Sequence, residues 1–367
     1  MRAAVLRKAN EVEVEDVDLA DPGPGEVRVR LAATGVCHTD LGPVEGHLPM
    51  PMPLVLGHEG AGVVEEIGAG VTGLAPGDHV VLASMTACGH CFQCSLGAFG
   101  LCETMHGRMR DGVLLDNTSR LSKDGETLHH FLWQSSFAEH AVVPQAAAIK
   151  IRDDAPFEVA CLLGCGAITG IGAVLHRAQV RPGEGVMILG VGGVGLAALL
   201  GAKVGGANPI IAVDRSEQAL DAATRLGATH VIDSSKEDVP SRVREITMRG
   251  VDHAIDVVGA EGTIETCLNS VRPGGQVVAV GVADPTAKVS VPLPTLLSEK
   301  RLTGTIGGSA NPRIDIPRYL DLFMAGRLPM DQLVKRTYDL DDIGQAFDDI
   351  RSGLPGRGVV VFEGGTR

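Results

Sequence analysis

VMILGVGGVG, residues 186–195, decides how the second half of this chain is read. Four apolar residues run into a glycine-rich turn and then into a second apolar stretch. That order predicts a buried strand feeding directly into a helix. The pattern repeats downstream. PIIAV (209–213) ends at Asp214, and a helix is predicted from about Ser216 to Leu226. THVID (229–233), DHAIDVVG (252–259) and QVVAVGV (276–282) continue the series. Near-continuous apolar strands alternating with helices predict an α/β fold built on a doubly wound parallel sheet. After residue 310 the pattern is mixed, with a helix expected in IDIPRYLDLFMAG and a last strand in GVVVFE (358–363).

Each part of the turn has a physical task. Gly190 permits the tight bend, Gly192 lets the backbone approach a pyrophosphate, and Gly195 lets helix pack on strand. Gly193, Val194 and Gly195 open the helix, whose free N–H groups and partial positive charge suit phosphates. Asp214 lies 19 residues beyond Gly195, at the end of the next strand. It can accept hydrogen bonds from both ribose hydroxyls, and its charge repels a 2′-phosphate, so NAD is expected rather than NADP. Arg215 beside it is the one residue that could greet such a phosphate. The bland alternative, a glycine-rich packing turn, does not account for strand, helix and carboxylate falling together.

The first third is different. VEVEDVDL, EVRVRLAATG, GAGVVEEIG and GDHVVLA are short β-type runs separated by turns such as PGPGE (22–26) and APGD (75–78). They predict a small antiparallel or barrel-like domain. A chain of 367 residues suggests about two domains. Its 48 glycines exceed the typical ~7% and lie beside Val, Ile and Ala, which fits tight strand-to-helix turns. A net charge of −13 argues against nucleic acid or an anionic membrane as partner. MRAAVLRKANEVEVED has no apolar core of a leader peptide, so a cytoplasmic, reducing location is expected. Clustered cysteines in that setting are metal ligands more often than disulfides.

Four of the eight cysteines fall in ACGHCFQCSLGAFGLC, with spacing C-x2-C-x2-C-x7-C over Cys88, Cys91, Cys94 and Cys102. Bacterial ferredoxin clusters use a shorter last gap followed by proline. A closed four-thiolate zinc site fits better; a redox or free-thiol role is the alternative. Three further residues could form a second, open site: Cys37 in GVCHTD, His58 in GHEG, 21 residues on, and Cys165 in LLGCG. Alone, each reads as an ordinary buried residue. Together they make a Cys2His set with a free fourth position.

With these motifs in view, the chain resembles the zinc-dependent medium-chain alcohol dehydrogenases along essentially its whole length. GVCHTD, GHEGAGVVEEIG, the four-cysteine loop, HHFLWQSSFAEHAVV, LLGCGAITG, GVGGVG with Asp214, and GLPGRGVVVF carry the resemblance. The segment from Asp111 to His140 is similar to the insert of the longer, liver-type dimeric enzymes. NPRIDIP and TLLSEKRLTGTIGG resemble bacterial members, some of which keep NAD tightly bound and use an artificial acceptor.

The resemblance implies a GroES-like, β-rich catalytic domain over residues 1–166 and 308–367, and a Rossmann NAD-binding domain over 167–307. It implies two zinc ions per chain, with Cys37, His58 and Cys165 on the catalytic one and the four clustered cysteines on the structural one. Glu59 takes the place of a nearby carboxylate that can visit the metal. Asp40 would orient His58, and Thr39 would accept the substrate hydroxyl proton. Thr169 and Val282 would lie by the nicotinamide, and Arg357 and His38 by the pyrophosphate. Leu48, Ser84, Phe131, Leu132, Val282 and Ile306 would surround the substrate. Ser84, where many relatives carry an aromatic, and Gly307 beside Ile306 suggest a roomy pocket for bulky or aromatic alcohols. Where the liver-type pattern has a relay histidine, this chain has Gly42, so His38, or else His47, is the expected proton exit.

The expected reaction is reversible oxidation of a primary or secondary alcohol to an aldehyde or ketone, in a homodimer with a small-molecule substrate. A formaldehyde–thiol adduct dehydrogenase of the same family ranks second, since its charged anchors are not apparent near Leu48 and His106. A zinc-free quinone or enoyl reductase would lack the ligands. A non-catalytic nucleotide-binding protein would not need Thr39 with an intact ligand set.

Overall fold

The computed structural model describes residues 1–282 and 286–363. The parallel sheet forms where the apolar runs predict it. Its six strands lie in the order His230–Asp233, Ile210–Asp214, Val186–Leu189, Val251–Asp256, Val271–Ala279, Arg301–Gly304. The chain thus starts in the middle, winds outward one way and then the other, and the switch lies beside Val186–Leu189. The strand boundaries differ from the sequence expectation by a few residues, as fraying ends do. The helix Gly193–Val204 buries Leu196 through Ala202 without a polar face, because sheet and neighbouring helices enclose it. Ser216 caps the helix Glu217–Leu226 by accepting from the Ala219 N–H, and Gly227, at φ 112°, closes it.

The β-rich part is two sheets rather than one. One sheet has seven strands and is centred on the long strand Glu26–Val36, which pairs with Gly60–Ile67, His140–Pro144 and Arg357–Val361. The last of these comes from the far end of the chain, so N- and C-terminal segments share a sheet. A second, six-stranded sheet joins Arg2–Lys8, Glu11–Asp16, Leu54–Val55 and the hairpin Leu121–Lys123 with Glu126–His130. The hairpin turns at Asp124 and Gly125, both at positive φ (51° and 83°), the backbone that suits the right-handed twist of paired strands.

One apolar cluster runs through both halves, from Ala32, Ala61 and Leu163 to Ile171, Leu196 and Leu200. No single helix among the described residues is long and apolar enough to cross a membrane.

Three strands of the second sheet meet at one carboxylate. Glu15 accepts from Arg7 through both oxygens (2.9 and 2.7 Å) and from Lys123 Nζ at 2.6 Å. The Arg7 hydrogen bonds, helped by Lys123 and opposed by burial, hold the Glu15 carboxyl down to about 2. A depressed carboxylate stabilises the fold fully above its unfolded pKa of about 4.5, and that contribution fades as pH falls toward 2. Glu15→Gln is therefore expected to lower stability at pH 7 by about 1–3 kcal/mol. Urea unfolding at pH 7 and at pH 3 checks this: the gap between variant and wild type should narrow at the lower pH.

Candidate functional site

Three separate segments deliver the second cysteine–histidine set. Cys37 caps the short helix His38–Val44 at the end of the strand Glu26–Val36. His58 and Glu59 precede the strand Gly60–Ile67, and Cys165 precedes the helix Gly166–Gly172. Ligand atoms of Cys37, His58, Glu59 and Cys165 lie within 4.8 Å of one another. His58, Glu59 and Asp40 have no exposed surface, and Cys37 is 6% exposed.

Asp40 holds this cluster in register. Its Oδ1 is 2.8 Å from His58 Nδ1, and its Oδ2 accepts the Cys37 N–H at 3.0 Å. Fixing Nδ1 this way leaves Nε2 as the free ring nitrogen. That atom is buried with no hydrogen-bond partner among the described residues, an arrangement costly unless something binds there. Burial pulls the His58 pKa down, but the charge and hydrogen bond of Asp40 outweigh it and raise it. Cys165 donates toward Cys37, which holds the Cys37 thiol well below the usual range and pushes its own up. Two thiols beside an unpartnered imidazole are the donor set that a four-coordinate zinc accepts, with Glu59 adjacent. Phe131 meets the His58 ring edge-on, centroids 5.5 Å apart.

Glu59 also reaches the other half of the molecule. Its Oε1 accepts from the Gly166 N–H at 3.0 Å and is paired with Arg357, itself 5% exposed. Burial pushes the Glu59 carboxyl up to about 7, against the pull of Arg357. The arginine stem lies on the glycine turn: a Cβ at Gly193 would come within 3.2 Å of Arg357 Cγ. Gly190 sits at φ 89°, as the tight bend requires, and a Cβ at Gly192 would meet nothing within 4 Å, leaving its backbone open to a ligand. The carboxylate of Asp214 accepts from the Val191, Arg215 and Ser216 N–H groups (2.8, 2.8 and 3.0 Å), which fixes it at the mouth of the turn. Arg215 is exposed.

The four clustered cysteines form a separate centre. Their sulfurs lie within 4.8 Å of one another, with Cys88–Cys94 at 4.0 Å and Cys91–Cys102 at 3.9 Å. A disulfide needs about 2.05 Å. Thiolates around one zinc at 2.3 Å stand about 3.8 Å apart, and these spacings fit that. Burial opposes ionisation of Cys88, but the Thr104 hydroxyl and the His90 and Cys91 amides bring it down to about 5.

The remaining expected residues are placed as follows. Thr39 Oγ1 lies 3.7 Å from the Cys37 sulfur. Thr169 donates back to the Cys165 carbonyl at 2.7 Å. His38 is exposed, and His47, also exposed, is 3.6 Å from Glu45. Leu48 is half-buried and Leu132 4% exposed, both packed in one cluster with Phe131. The hydroxyl of Ser84 donates to the Gly164 carbonyl at 3.0 Å. Ile306 is 44% exposed and Val282 91% exposed in the single chain.

The sequence reading missed Gln134. Its amide is fully buried and bonded to Gly60 and Leu82; a lone glutamine in a non-periodic stretch carries no spacing signal.

Two lobes, a four-thiolate centre, and an open Cys2His set facing a glycine turn define a zinc-binding dehydrogenase. Comparison with known proteins agrees. The model for the alcohol dehydrogenase GroES-like domain matches residues 23–153, and that for the zinc-binding dehydrogenase domain matches residues 193–325. An S-(hydroxymethyl)glutathione dehydrogenase from Synechocystis sp. is 38% identical over 98% of this chain and 99% of its own. Among solved structures, an alcohol dehydrogenase zinc-binding domain protein from Burkholderia ambifaria superposes with a TM-score of 0.95 at 39% identity, covering 98% of both chains. Benzyl alcohol dehydrogenase from Acinetobacter calcoaceticus gives 0.94 at 37%, covering 98% of this chain and 99% of its own. The chain belongs to the zinc-dependent medium-chain alcohol dehydrogenase family.

Asp40→Asn keeps the shape but replaces a charged acceptor by an amide. Metal affinity at the Cys37/His58/Cys165 set is expected to fall about 10–100-fold. Chelator competition checks this, with the four-cysteine metal content unchanged.

Proposed function

We propose that the protein oxidises a bulky or aromatic alcohol with NAD, using a zinc ion on Cys37, His58 and Cys165 and a second, structural zinc on Cys88, Cys91, Cys94 and Cys102. The observation that carries this is the buried, unpartnered His58 Nε2 beside the sulfurs of Cys37 and Cys165, one arginine away from the glycine turn. When bound, the zinc supplies Lewis acidity toward the alcohol hydroxyl, and the dinucleotide supplies the hydride acceptor.

The chain's own residues do the rest. Asp40 fixes the His58 ring. Thr39, next to Cys37, takes the hydroxyl proton and hands it outward through His38, the exposed titratable neighbour. Arg357 and the open turn at Gly192 hold the pyrophosphate, and Asp214 receives the ribose. Phe131, Leu132 and Leu48 supply the apolar wall that excludes water. Thr169 and Val282 face the nicotinamide, and Ser84 and Ile306 bound the far side of the pocket. Residues 1–166 with 308–367 make the catalytic domain and 167–307 the nucleotide domain.

Asp214 supports NAD over NADP. A small residue at Ser84 supports a wide pocket, and the benzyl alcohol enzyme among the structural relatives supports an aromatic substrate. The glutathione-adduct dehydrogenases among the sequence relatives are the second reading. The working unit is a homodimer in the cytoplasm. Among the described residues the strand Arg301–Gly304 is paired on one side only, and Leu293, Leu297 and Leu302 near it in the chain are exposed (68%, 77% and 42%), an edge that a second copy would cover.

Formation of NADH with an alcohol panel tests the reading. Benzyl alcohol is expected to exceed ethanol in kcat/KM, and NAD to exceed NADP. A preference for ethanol, or for the formaldehyde–glutathione adduct, would overturn the substrate assignment. His38→Gln is expected to lower turnover most at low pH while zinc content stays constant; an unchanged pH–rate profile would remove His38 from the relay.

A further inference from the structure

We propose that Gln134 is a positioning residue for the catalytic metal: its side-chain amide is a wedge that opens one strand pair so that the third ligand can enter. The proposal rests on the reading that Cys37, His58 and Cys165 hold the zinc.

The strands Gly60–Ile67 and His79–Leu82 run antiparallel, with Val63, Gly62 and Ala61 opposite His79, Val80 and Val81. Gly60 and Leu82 come next in register. In a continuing ladder the Gly60 N–H would go straight to the Leu82 carbonyl. It does not. The Gly60 N–H donates to Gln134 Oε1 at 3.1 Å, and Gln134 Nε2 donates to the Leu82 carbonyl at 3.0 Å. One amide thus replaces one ladder bond and satisfies both of its ends, while Ala61 and Val81 beside it stay paired.

The third ligand arrives at this bridge. A Cβ at Gly164 would stand 2.6 Å from the Leu82 oxygen and 3.1 Å from the Glu59 Cα, so the segment before Cys165 packs against the backbone at both ends of the replaced bond. There the Ser84 N–H and hydroxyl both donate to the Gly164 carbonyl, each at 3.0 Å. His58 is two residues before Gly60, and Cys165 is one residue after Gly164. The amide bridge therefore stands two residues from the second ligand and, through Gly164, one residue from the third.

The wedge is itself held. Gln134 is fully buried, and its turn carries positive φ at Leu132 (47°), Trp133 (70°) and Ser135 (55°). Ser135 Oγ accepts the Phe131 N–H at 3.0 Å, and Ser136 Oγ is 2.7 Å from Thr34 Oγ1. Non-glycine residues remain in that backbone only where the surroundings hold them. The same turn presents Phe131 to the His58 ring, so the substrate wall and the ligand spacing share one support.

The test uses Gln134→Met, which keeps length and loses both bonds, and Gln134→Glu, which keeps the shape but sets an oxygen against the Leu82 carbonyl. Cobalt(II) is placed in the Cys37/His58/Cys165 set, with zinc left at the four cysteines. Both variants are expected to hold cobalt about 10-fold or more weakly in chelator competition, with shifted ligand-field bands. Kcat should fall more than KM rises. If Gln134→Met does not fold, Gln134→Glu carries the measurement alone. A lowered melting temperature with wild-type cobalt spectrum and affinity would mean a merely structural glutamine and overturn the proposal. A wild-type protein that takes no metal at the three-residue set would overturn the zinc reading beneath it.

Discussion

The site depends on a contact between backbones. The helix Gly166–Gly172 lies against the helix Gly193–Val204 on one side and against residues 307–308 on the other. A Cβ at Gly170 would stand 2.7 Å from the Ala198 nitrogen, and one at Gly172 would stand 2.6 Å from the Gly308 oxygen. From the other side, a Cβ at Gly201 would lie 3.0 Å from the Ile171 Cα. Only glycine permits such an approach. Interiors this close-packed transmit displacement rather than absorb it. Cys165 stands at the head of the same helix, and Thr169 within it is bonded to the Cys165 carbonyl. The third sulfur and the helix that follows the glycine turn are thus parts of one body.

A second link is electrostatic. Glu59 and Arg357 form an ion pair that water does not reach. Such a pair is weak evidence of stability, because the attraction must first offset the desolvation of both ions. Its value here is placement. Arg357 begins the strand Arg357–Val361, whose Gly358 sits opposite Val36, next to Cys37. Its stem rests on Gly193 and its guanidinium on Glu59. On the proposed reading, an arriving pyrophosphate and Glu59 share one guanidinium.

What was legible in the sequence follows from range. The parallel sheet was readable because each strand, turn and cap is a local pattern; Gly190 and Ser216 do in the fold what their positions implied. The four cysteines were readable because their ligand atoms come from one loop. Cys37, His58 and Cys165 were readable only together with the motifs around them, since nothing local joins residues 21 and 107 positions apart. Three features were beyond reach. Gln134 acts through two carbonyl and amide groups far away in the chain. Ser84, expected as a gap in the pocket wall, spends its hydroxyl on Gly164. Val282 is almost wholly exposed in the single chain, and no periodicity reports what would cover it.

The glycine at position 42 shows how relay and pocket constrain each other. A Cβ there would stand 2.9 Å from the Cβ of Leu48, and the Leu48 N–H already donates to the Gly42 carbonyl at 2.9 Å. A histidine at 42 would have to displace Leu48, which packs with Phe131 and Leu132 on the apolar wall. The chain therefore cannot hold both this wall and a relay histidine at that place. A larger apolar surface suits a larger apolar substrate, and on the proposed reading the proton then leaves through His38, which is exposed beside Thr39 one helical turn before Gly42. The missing relay residue and the proposed preference for bulky alcohols are on this view one packing choice.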